Sequence, residues 1–469
     1  MNKTMNLPDF ESDYSALFGA IRKVVPASMK IYLVGGAVRD ILLGRKIRDF
    51  DFTVEGLVRP IGKNIANELG GAYYVLDDER EMVRVIIEDE QIGKFDVDIA
   101  QLSGETVEDD LQERDFTINA MAIAVGSDNQ FVDPLNGLSD MENKMLRMCA
   151  PDSLQNDPLR SLRAIRMSLE FGLTMDEDLL NAMYDARSRL YVSSMERYRD
   201  EMFKIIRLHK NAEAVSMCQK FGLMDHLFPE WNSNNSIDSE WIANTDHFSL
   251  LLTVDQKNAE PLSDFDNYAS SRLGNYKETL KAFFDKPLAL YHNRRMLNLF
   301  SAIAGSLSKQ VESVNGWCSR LAFSSSETNF VMNSLQSFDL LRAVRNPENY
   351  GDVDIYRYFR QYKEGGIGGL ILYLADGYRY QNIPNAYRTW CDKVVFVQNM
   401  VSAYFTRYME VISPRPLMSG HDIQELLAIP AGPVIGQIKN ALIEAQIRGS
   451  VKNIPEAESF VRLESKHFF

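Results

Sequence analysis

Two short patterns within residues 31–54 hold residue types that could do chemistry. An apolar run ends at Gly35-Gly36, and a second strand-like run opens with Asp49 and Asp51. Adjacent glycines at a strand-to-helix turn let backbone N–H groups approach an anion, and the helix N-terminus adds a favourable dipole. Aspartates two positions apart on a strand leave the same face. A phosphate cradle beside paired carboxylates is what Mg²⁺-dependent phosphoryl or nucleotidyl transfer requires.

Either pattern alone has a simpler explanation, because a Gly-Gly pair is often only a turn and an Asp-x-Asp pair is often a solvated strand face. Their combination in strand–turn–helix–strand order favours a functional site. Asp98, in the alternating segment KFDVDIA, adds a further carboxylate. Asp49 and Asp51 could bridge two Mg²⁺ ions for two-metal nucleotidyl transfer, and Asp98 could be a third ligand or orient the attacking hydroxyl. For Asp98 alone, an exposed strand residue is at least as good an interpretation.

Arg114 and Asp115 lead directly into the apolar segment TINAMAIAV, residues 117–125, which predicts a buried strand. An Arg–Asp pair that enters a sheet could be a structural salt bridge. It could equally place Arg114 against a triphosphate or a sugar.

Asn156-Asp157-Pro158 predicts the start of a helix, with Asp157 as N-cap and Pro158 at the first position. Capping is therefore one role for the Asp157 carboxylate. Three arginines follow at intervals of three and share roughly one helical face with it: Arg160, Arg163 and Arg166. Because arginines on one stripe repel unless they face anions, the pattern favours a functional face.

The elements that must position these residues predict an α+β fold. Residues 1–150 combine helical segments with β-rich stretches, which indicates a small mixed sheet. Helical patterns with short connections follow from residue 156 onward. We therefore expect a mixed-sheet head followed by an elongated all-helical remainder, divided into a head (1–150), a neck (151–210), a body (211–410) and a tail (411–469).

Composition narrows the class of protein. No apolar run approaches membrane length, residues 1–13 lack the apolar core of a signal peptide, and the four cysteines form no C-x-x-C pair. These features predict a cytoplasmic protein without a membrane partner. Residues 1–150 hold 16 Lys and Arg against 27 Asp and Glu. An acidic head argues against a general RNA binder, although an enzyme that holds one folded RNA stays open.

Five segments within residues 31–207 resemble, in order and spacing, the bacterial-type (class II) tRNA nucleotidyltransferase and poly(A) polymerase family: LVGGAVRDILLGRKIRDFDFTV, RDFTINAMAI, DPLNGLSDM, DPLRSLRAIRMSLEFGL and MERYRDEMFKII. The tail segment PLMSGHDIQELLAIPAGPVIGQI is similar to the C-terminal part of longer members. Residues 211–410 match only in being helical.

The resemblance implies a nucleotidyltransferase head and an enzyme that builds or repairs the tRNA 3′ end from CTP and ATP, without a nucleic-acid template and with release of pyrophosphate. It implies that Asp49 and Asp51 hold Mg²⁺ and that the tail binds RNA. The nucleotide-binding residues implied by motif position, including an amino-acid template of Asp157 and Arg160, are Gly35, Gly36, Arg39, Arg114, Asp157, Arg160, Arg163 and Arg166.

An Asp–Arg template is chemically sound for C and A. A carboxylate accepts from the exocyclic amine of either base, while a guanidinium donates to the adjacent ring nitrogen or carbonyl. Uracil and guanine present a carbonyl where the amine should be, so one Asp–Arg pair rejects both.

Two departures from the family pattern bear on the product. CCA-adding members commonly have Glu where this chain has Asn156. Only fifteen residues, Ile99–Glu113, separate Asp98 from Arg114, where full CCA-adding enzymes have a longer flexible loop tied to the switch from CTP to ATP. A partial activity, CC-adding or A-adding, is therefore an alternative to complete CCA addition.

Two further alternatives are a poly(A) polymerase and an inactive RNA-binding relative. The acidic balance argues against the first, because tailing arbitrary RNA needs electrostatic grip. Intact motif residues argue against the second. The oligomeric state stays open at this point.

Overall fold

A computed structural model describes the chain over residues 10–79, 81–89, 92–126, 129–231, 236–253, 262–289, 292–308 and 310–467. Residues 1–9, on which the expected lack of a signal peptide largely depends, lie outside these ranges. The chain forms two compact units, Met1–Arg197 with Lys220–Leu223 and Tyr198–Gln219 with Met224–Phe469. The finer division into head, neck, body and tail stays a prediction.

A seven-stranded mixed sheet forms the head, as the sequence predicts. Its strands lie in the order β3-β4-β5-β2-β1-β6-β7, and of the neighbouring pairs only β2 and β5 are parallel. The strands are β1 (Ile31–Val34), β2 (Asp49–Val54), β3 (Ala72–Asp77), β4 (Met82–Asp89), β5 (Gly93–Gln101), β6 (Ala122–Ala124) and β7 (Phe131–Val132). A separate parallel pair joins β8 (Met145–Leu146) to β9 (Thr174–Met175).

Nine helices begin within the first unit as described. They are α1 (Ser15–Val24), α2 (Gly36–Leu42), α3 (Val58–Leu69), α4 (Val107–Gln112), α5 (Gly137–Glu142), α6 (Ser153–Asn156), α7 (Arg160–Phe171), α8 (Glu177–Ala186) and α9 (Met195–Ile206).

Alternation along β2 separates the core from the candidate site. Phe50 and Phe52 are buried and stack with ring centroids 6.3 Å apart. Phe18 of α1 meets both rings edge-on, so α1 closes this side of the sheet. Because successive strand residues point to opposite faces, the burial of Phe50 and Phe52 places Asp49 and Asp51 on the other face.

Two local predictions are wrong in detail. Residues 117–125 are not one strand, because Thr117–Asn119 form a 3₁₀ turn before the three-residue β6. Helix α7 begins at Arg160 and its N-cap is Leu159, so Asp157 is not the N-cap and Pro158 is not the first helical residue. Proline supplies no N–H to the turn before the helix, and the backbone N–H of Arg160 donates to the carbonyl of Asp157 at 3.0 Å.

The second unit is helical in its described part. Its helices are α10 (Asn211–Lys220, as far as Gln219), α11 (Met224–Leu227), α12 (Ser239–Leu251), α13 (Asp264–Leu273), α14 (Lys277–Asp285), α15 (Arg294–Leu307), α16 (Val311–Arg320), α17 (Ser325–Ala343), α18 (Asp352–Tyr362), α19 (Gly365–Tyr378), α20 (Ala386–Thr406), α21 (Gly420–Leu427), α22 (Pro433–Ile447) and α23 (Ile454–Glu464).

Helix α19 is buried along its whole length and packs closely on α17. A Cβ atom at Gly368 or Gly369 would collide with the hydroxyl of Ser334 or Ser337. The glycines therefore allow two helix backbones to approach at a distance that alanine would not permit. No helix of the described residues is both long enough and apolar enough to cross a membrane.

Candidate active site

Four carboxylates line one face of the sheet where β2 and β5 run parallel. The register pairs Asp49 with Asp96 and Asp51 with Asp98. Residues at alternate positions of two paired strands share a face, so all four side chains lie opposite the buried aromatic core. The sheet thus brings Asp98 beside the two aspartates that the Asp-x-Asp pattern singles out.

Asp51 is the least solvated of the predicted metal ligands. Burial raises its pKa to about 6 and is the largest cause. Arg114 and Arg84 lower this pKa, and Asp98 and Asp49 raise it. A carboxyl group in this state gains more from a nearby cation than an exposed aspartate does.

The Gly-Gly turn lies directly against Asp51 and Arg114. Gly35 has φ +72°, and a Cβ atom there would stand 3.0 Å from Arg114 Nη1 and 3.3 Å from Asp51 Oδ2. Only glycine adopts this backbone conformation readily, and only glycine leaves space for both side chains. Gly36 begins α2, where a Cβ would stand 3.2 Å from Arg39 Nη2.

Arg114 and Asp115, neighbours in sequence, have different partners. Arg114 donates to Asp110 Oδ2 from Nη2 at 3.1 Å and from Nε at 3.3 Å. Asp115 instead accepts from Arg163 Nε at 2.8 Å. The alternative of an Arg114–Asp115 salt bridge is therefore wrong, and Arg114 lies beside Asp51.

Arg163 compensates a buried charge. Asp115 is 6% exposed and also accepts from the backbone N–H of Phe116 and from Asn119 Nδ2, at 2.8 and 3.1 Å. Burial alone would raise the pKa of Asp115, but Arg163 and these hydrogen bonds outweigh burial and hold it below its usual range.

The other two arginines of the α7 stripe also have partners within the first unit. Arg160 donates to the carbonyls of Arg114 and Glu113 at 3.1 and 2.7 Å and to Ser153 Oγ at 2.6 Å. Arg166 Nη1 donates to Glu170 Oε2 at 3.0 Å. The expectation that the stripe faces anions therefore holds for Arg163 and Arg166 through carboxylates of the chain itself, while Arg160 faces uncharged acceptors.

Asp157 is not the N-cap of α7, but its carboxylate accepts a hydrogen bond within the turn that precedes the helix and has further partners later in the chain. Its Oδ1 accepts from the backbone N–H of Leu159 at 3.3 Å and from Ser193 Oγ at 3.2 Å. Its Oδ2 accepts from Arg197 Nη2 on α9 at 2.7 Å. The carboxylate is thus oriented by α9 as well as by its own turn.

Arg39 lies between α2 and α7. It is 7% exposed, donates to Asn119 Oδ1 at 2.6 Å and to Asp40 Oδ1 at 3.0 Å, and its guanidinium carbon stands 4.3 Å from the ring centroid of Phe171. These contacts join the glycine turn to the helix of the Asp157–Arg166 stripe. The role of Arg39 as a nucleotide contact stays a prediction.

Arg84 and Arg197 are charged partners to which the sequence analysis assigns no role, although Arg197 lies within the quoted segment MERYRDEMFKII. Arg84, on β4, donates to both oxygens of Asp98 at 2.7 Å and lies 3.4 Å from Asp96. Alternation in MVRVIIED places Arg84 on one strand face, but only the β4–β5 register brings it opposite Asp98. No three His, Cys, Asp or Glu side chains in the described ranges converge as metal ligands.

The short segment Ile99–Glu113 is well structured. Strand β5 continues to Gln101, and Thr106 caps α4 by a reciprocal pair of hydrogen bonds with Asp109. Ser103 Oγ donates to Glu113 Oε2 at 2.6 Å, and Leu111 is fully buried. The segment is therefore held at both ends and by its own core contact.

Paired carboxylates on a mixed sheet, with a glycine turn and an arginine beside them, are typical of a nucleotidyltransferase head. Residues 31–147 match the family described as "Poly A polymerase head domain". Residues 172–234 match the family described as "Probable RNA and SrmB- binding site of polymerase A".

Curated relatives and solved structures agree with these matches. The chain is 26% identical to a CC-adding tRNA nucleotidyltransferase of Synechocystis, over 94% of this chain and 96% of that protein. It is 27% identical to an A-adding tRNA nucleotidyltransferase of Deinococcus radiodurans, over 92% and 94%. A CCA-adding enzyme solved with CTP shares the fold, with a TM-score of 0.64, 20% identity and coverage of 98% and 96%. Over most of its length the chain is similar to bacterial tRNA nucleotidyltransferases, and residues 31–147 match the poly(A) polymerase head domain, in agreement with the resemblance of the motifs.

Proposed function

We propose that this protein is a tRNA 3′-end nucleotidyltransferase that adds C, A or both from CTP and ATP without a nucleic-acid template. The arrangement of Asp49, Asp51, Gly35 and Arg114 around one point of the sheet carries the proposal. The 3′ hydroxyl oxygen of tRNA attacks the α-phosphorus of the nucleotide and forms a new P–O bond, while the hydroxyl proton passes to solvent. The bond between the α-phosphorus and the α,β-bridging oxygen breaks, and pyrophosphate leaves. The reaction belongs in the cytoplasm, where tRNA and both nucleotides are available.

Asp49 and Asp51 suit Mg²⁺, which prefers oxygen ligands and is commonly held by one or two carboxylates together with substrate phosphates. The raised pKa of Asp51 fits the same role, because its charge lacks a full set of compensating partners. When bound, Mg²⁺ would stabilise charge on the entering and leaving oxygens. Arg114, 3.0 Å from the Cβ position of Gly35, would bind the triphosphate beside the glycine turn.

Asp157 and Arg160 would select the base. The contacts of Asp157 with Arg197 and Ser193 hold its carboxylate in one orientation, which a group that reads an exocyclic amine requires. Arg160 is oriented by two backbone carbonyls. Arg39, Arg163 and Arg166 would support this site as positioning residues through their contacts with Asn119, Asp115 and Glu170.

We favour a product that contains only part of the CCA sequence, namely its two cytidines. The segment Ile99–Glu113 is short and held by α4, by the Ser103–Glu113 hydrogen bond and by buried Leu111. A longer flexible loop at this position accompanies the switch from CTP to ATP in full CCA-adding enzymes, so a short, fixed segment favours a reaction that stops at CC.

End sequencing of reaction products tests the function. Transcripts of one tRNA that lack one, two or three terminal nucleotides are incubated with Mg²⁺ and either CTP, ATP or both. We expect CC on the substrate that lacks three nucleotides, and no product with Asp49→Ala. Addition of a single A to the CC-ended substrate would instead indicate an A-adding enzyme. Long adenosine tracts on any RNA would indicate a poly(A) polymerase, and no incorporation under any condition would refute the proposal.

A further inference from the structure

Arg84 is a positively charged residue of the acidic sheet face, and the proposed reaction gives it no task. It lies on β4, and the antiparallel register places it directly opposite Asp98 of β5. Its Nε and Nη2 each donate to a different oxygen of Asp98 at 2.7 Å, and its Nη1 lies 3.4 Å from Asp96. Both oxygens of Asp98 are thus engaged on the side that faces Arg84.

This geometry is that of a two-point clamp. Parallel N–H donors of a guanidinium fix the plane of a carboxylate as well as its distance, which a single ammonium contact does not do. The Asp98 side chain is 13% exposed, so solvent has little opportunity to replace the arginine. Asp98 is therefore oriented toward β4, although the β2–β5 register places its backbone beside Asp51.

Arg84 also reduces the electrostatic repulsion among the carboxylates of this face. Four carboxylates, two on β2 and two on β5, share one face, and repulsion among them would oppose folding in the absence of a cation. Arg84 compensates the β5 pair, and Arg114 lies near Asp51 of the β2 pair. The described carboxylates accordingly include no set of three that converges as a metal site.

We propose that Arg84 is a built-in counter-ion that withholds Asp98 from metal coordination and so lowers the affinity of the head for divalent cations. The inference rests on the proposed function, in which Asp49 and Asp51 hold Mg²⁺. A site limited to two carboxylates binds the ion loosely until the phosphates of the nucleotide complete its ligands. Arg84 acts through Asp98 and is a positioning residue.

Whether removal of Arg84 strengthens or weakens cation binding distinguishes a residue that withholds Asp98 from one that orients Asp98 as a ligand. If Arg84 withholds Asp98, removal of its charge frees a carboxylate beside Asp51, and a divalent cation binds more tightly. If Arg84 instead orients Asp98 as a ligand, its removal weakens binding. Loss of one positive charge near a doubly charged ion predicts a gain in affinity of about tenfold.

Mn²⁺ binding to the full chain without nucleotide, followed by electron paramagnetic resonance of the free ion, measures this sign. We expect Arg84→Met and Arg84→Gln to bind Mn²⁺ about tenfold more tightly than the wild type. Arg84→Lys, which keeps the charge, should stay near the wild type. Unchanged or weaker binding in both neutral variants would overturn the proposal.

The charge-balanced pair Arg84→Met with Asp98→Asn is the matched control, and it removes one positive and one negative charge together. Its Mn²⁺ affinity should lie within about threefold of the wild type, because a withheld carboxylate contributes no ligand. A loss of about tenfold or more would identify Asp98 as a ligand and overturn the inference, even if the single variants at Arg84 do not fold. Incorporation of CMP and of AMP into tRNA by the wild-type enzyme is measured in parallel. If the wild type incorporates either nucleotide but the Mn²⁺ affinities of the Arg84 variants are unchanged, only the inference is refuted. If the wild type incorporates neither nucleotide, the proposed function is refuted.

Discussion

The carboxylate face of β2 and β5 and the Asp157–Arg166 stripe of α7 differ in how their charges are matched. The sheet face holds four carboxylates, and Asp51 retains a raised pKa despite Arg114 and Arg84. On the stripe, by contrast, Arg163, Arg166 and Asp157 pair with oppositely charged side chains of the same unit. One region is organised to receive a cation, and the other is organised to hold its own side chains in fixed orientations.

The difference suggests a division of tasks. Unbalanced charge is useful where the reaction brings Mg²⁺ and phosphates, because binding then compensates the charge. Balanced charge is useful where a base is read, because selection depends on orientation. Substitutions in the two regions should therefore affect different measurements, rate in the first and base choice or stability in the second.

The largest effect is expected for Asp51→Ala. Loss of a metal ligand removes stabilisation of several kcal/mol, so incorporation of every nucleotide should fall by about 10³-fold or more. Urea unfolding should show that the variant remains folded, since it removes a charge that burial disfavours. Incorporation near the wild-type rate, measured with radiolabelled CTP, would contradict the two-carboxylate assignment.

Asp115→Asn tests the paired charges of the α7 stripe through the stability of the folded protein. Its substitution leaves Arg163 without its buried counter-ion and should lower the free energy of unfolding by about 3 kcal/mol at neutral pH. Glu170→Gln is the control, because the Glu170 side chain is 28% exposed against 6% for that of Asp115, and it should cost no more than about 0.5 kcal/mol. Equal losses in the two variants would show that burial of Asp115 is not the cause.

The loss of unfolding free energy in Asp115→Asn should depend on pH. Because the folded-state pKa of Asp115 lies below its usual value of 3.8, the stabilisation is present above that value and is lost as pH falls through the lower, folded pKa. The difference in unfolding free energy between the wild type and Asp115→Asn should therefore shrink as pH falls below about 4. Urea titrations at a series of pH values measure it, and a constant difference down to the acid limit would exclude this linkage.

Gly35→Ala tests the space beside the carboxylate face. Its Cβ would displace Arg114 or Asp51, and a misplacement of about 1 Å in such a site can lower the rate by about 100-fold. Gly44→Ala is a matched control, because Gly44 also has a positive φ, +64°, but its Cβ would meet no atom within 4 Å. Gly35→Ala should lose activity and also more stability, because Gly35 has φ +72° and ψ −141°, a combination that few residues other than glycine adopt. Gly44→Ala should keep its activity.

The smallest effect on rate, and the sharpest on selection, is expected for Asp157→Ala. With the carboxylate removed, discrimination of CTP against UTP should fall by about tenfold, since one unpaired polar group costs about 1–3 kcal/mol. Asn156→Ala, which removes a hydrogen bond to Asp152, should leave discrimination unchanged. Full exclusion of UTP and GTP by Asp157→Ala would refute the template role of Asp157.

Local patterns predict some parts of this molecule well. Alternation in β2 predicts both the buried Phe50 and Phe52 and the opposite face of Asp49 and Asp51, because the side-chain period of a strand depends only on the strand itself. The helical start near Asp157 is predicted within three residues. The contacts of Arg39 are not predictable in this way, since Asn119 and Phe171 lie 80 and 132 positions further along the chain.

By itself, the sequence determined the class of chemistry, the mixed-sheet head and the helical remainder, because each depends on patterns within short segments of the chain. Only the tertiary structure decided the pairing of charges: Arg163 rather than Arg114 with Asp115, Arg197 with Asp157, and Arg84 with Asp98. The physical reason is that a charged side chain takes whichever opposite charge the packed fold brings within hydrogen-bonding distance. Strand register and helix packing, which set those distances, are properties of the whole fold.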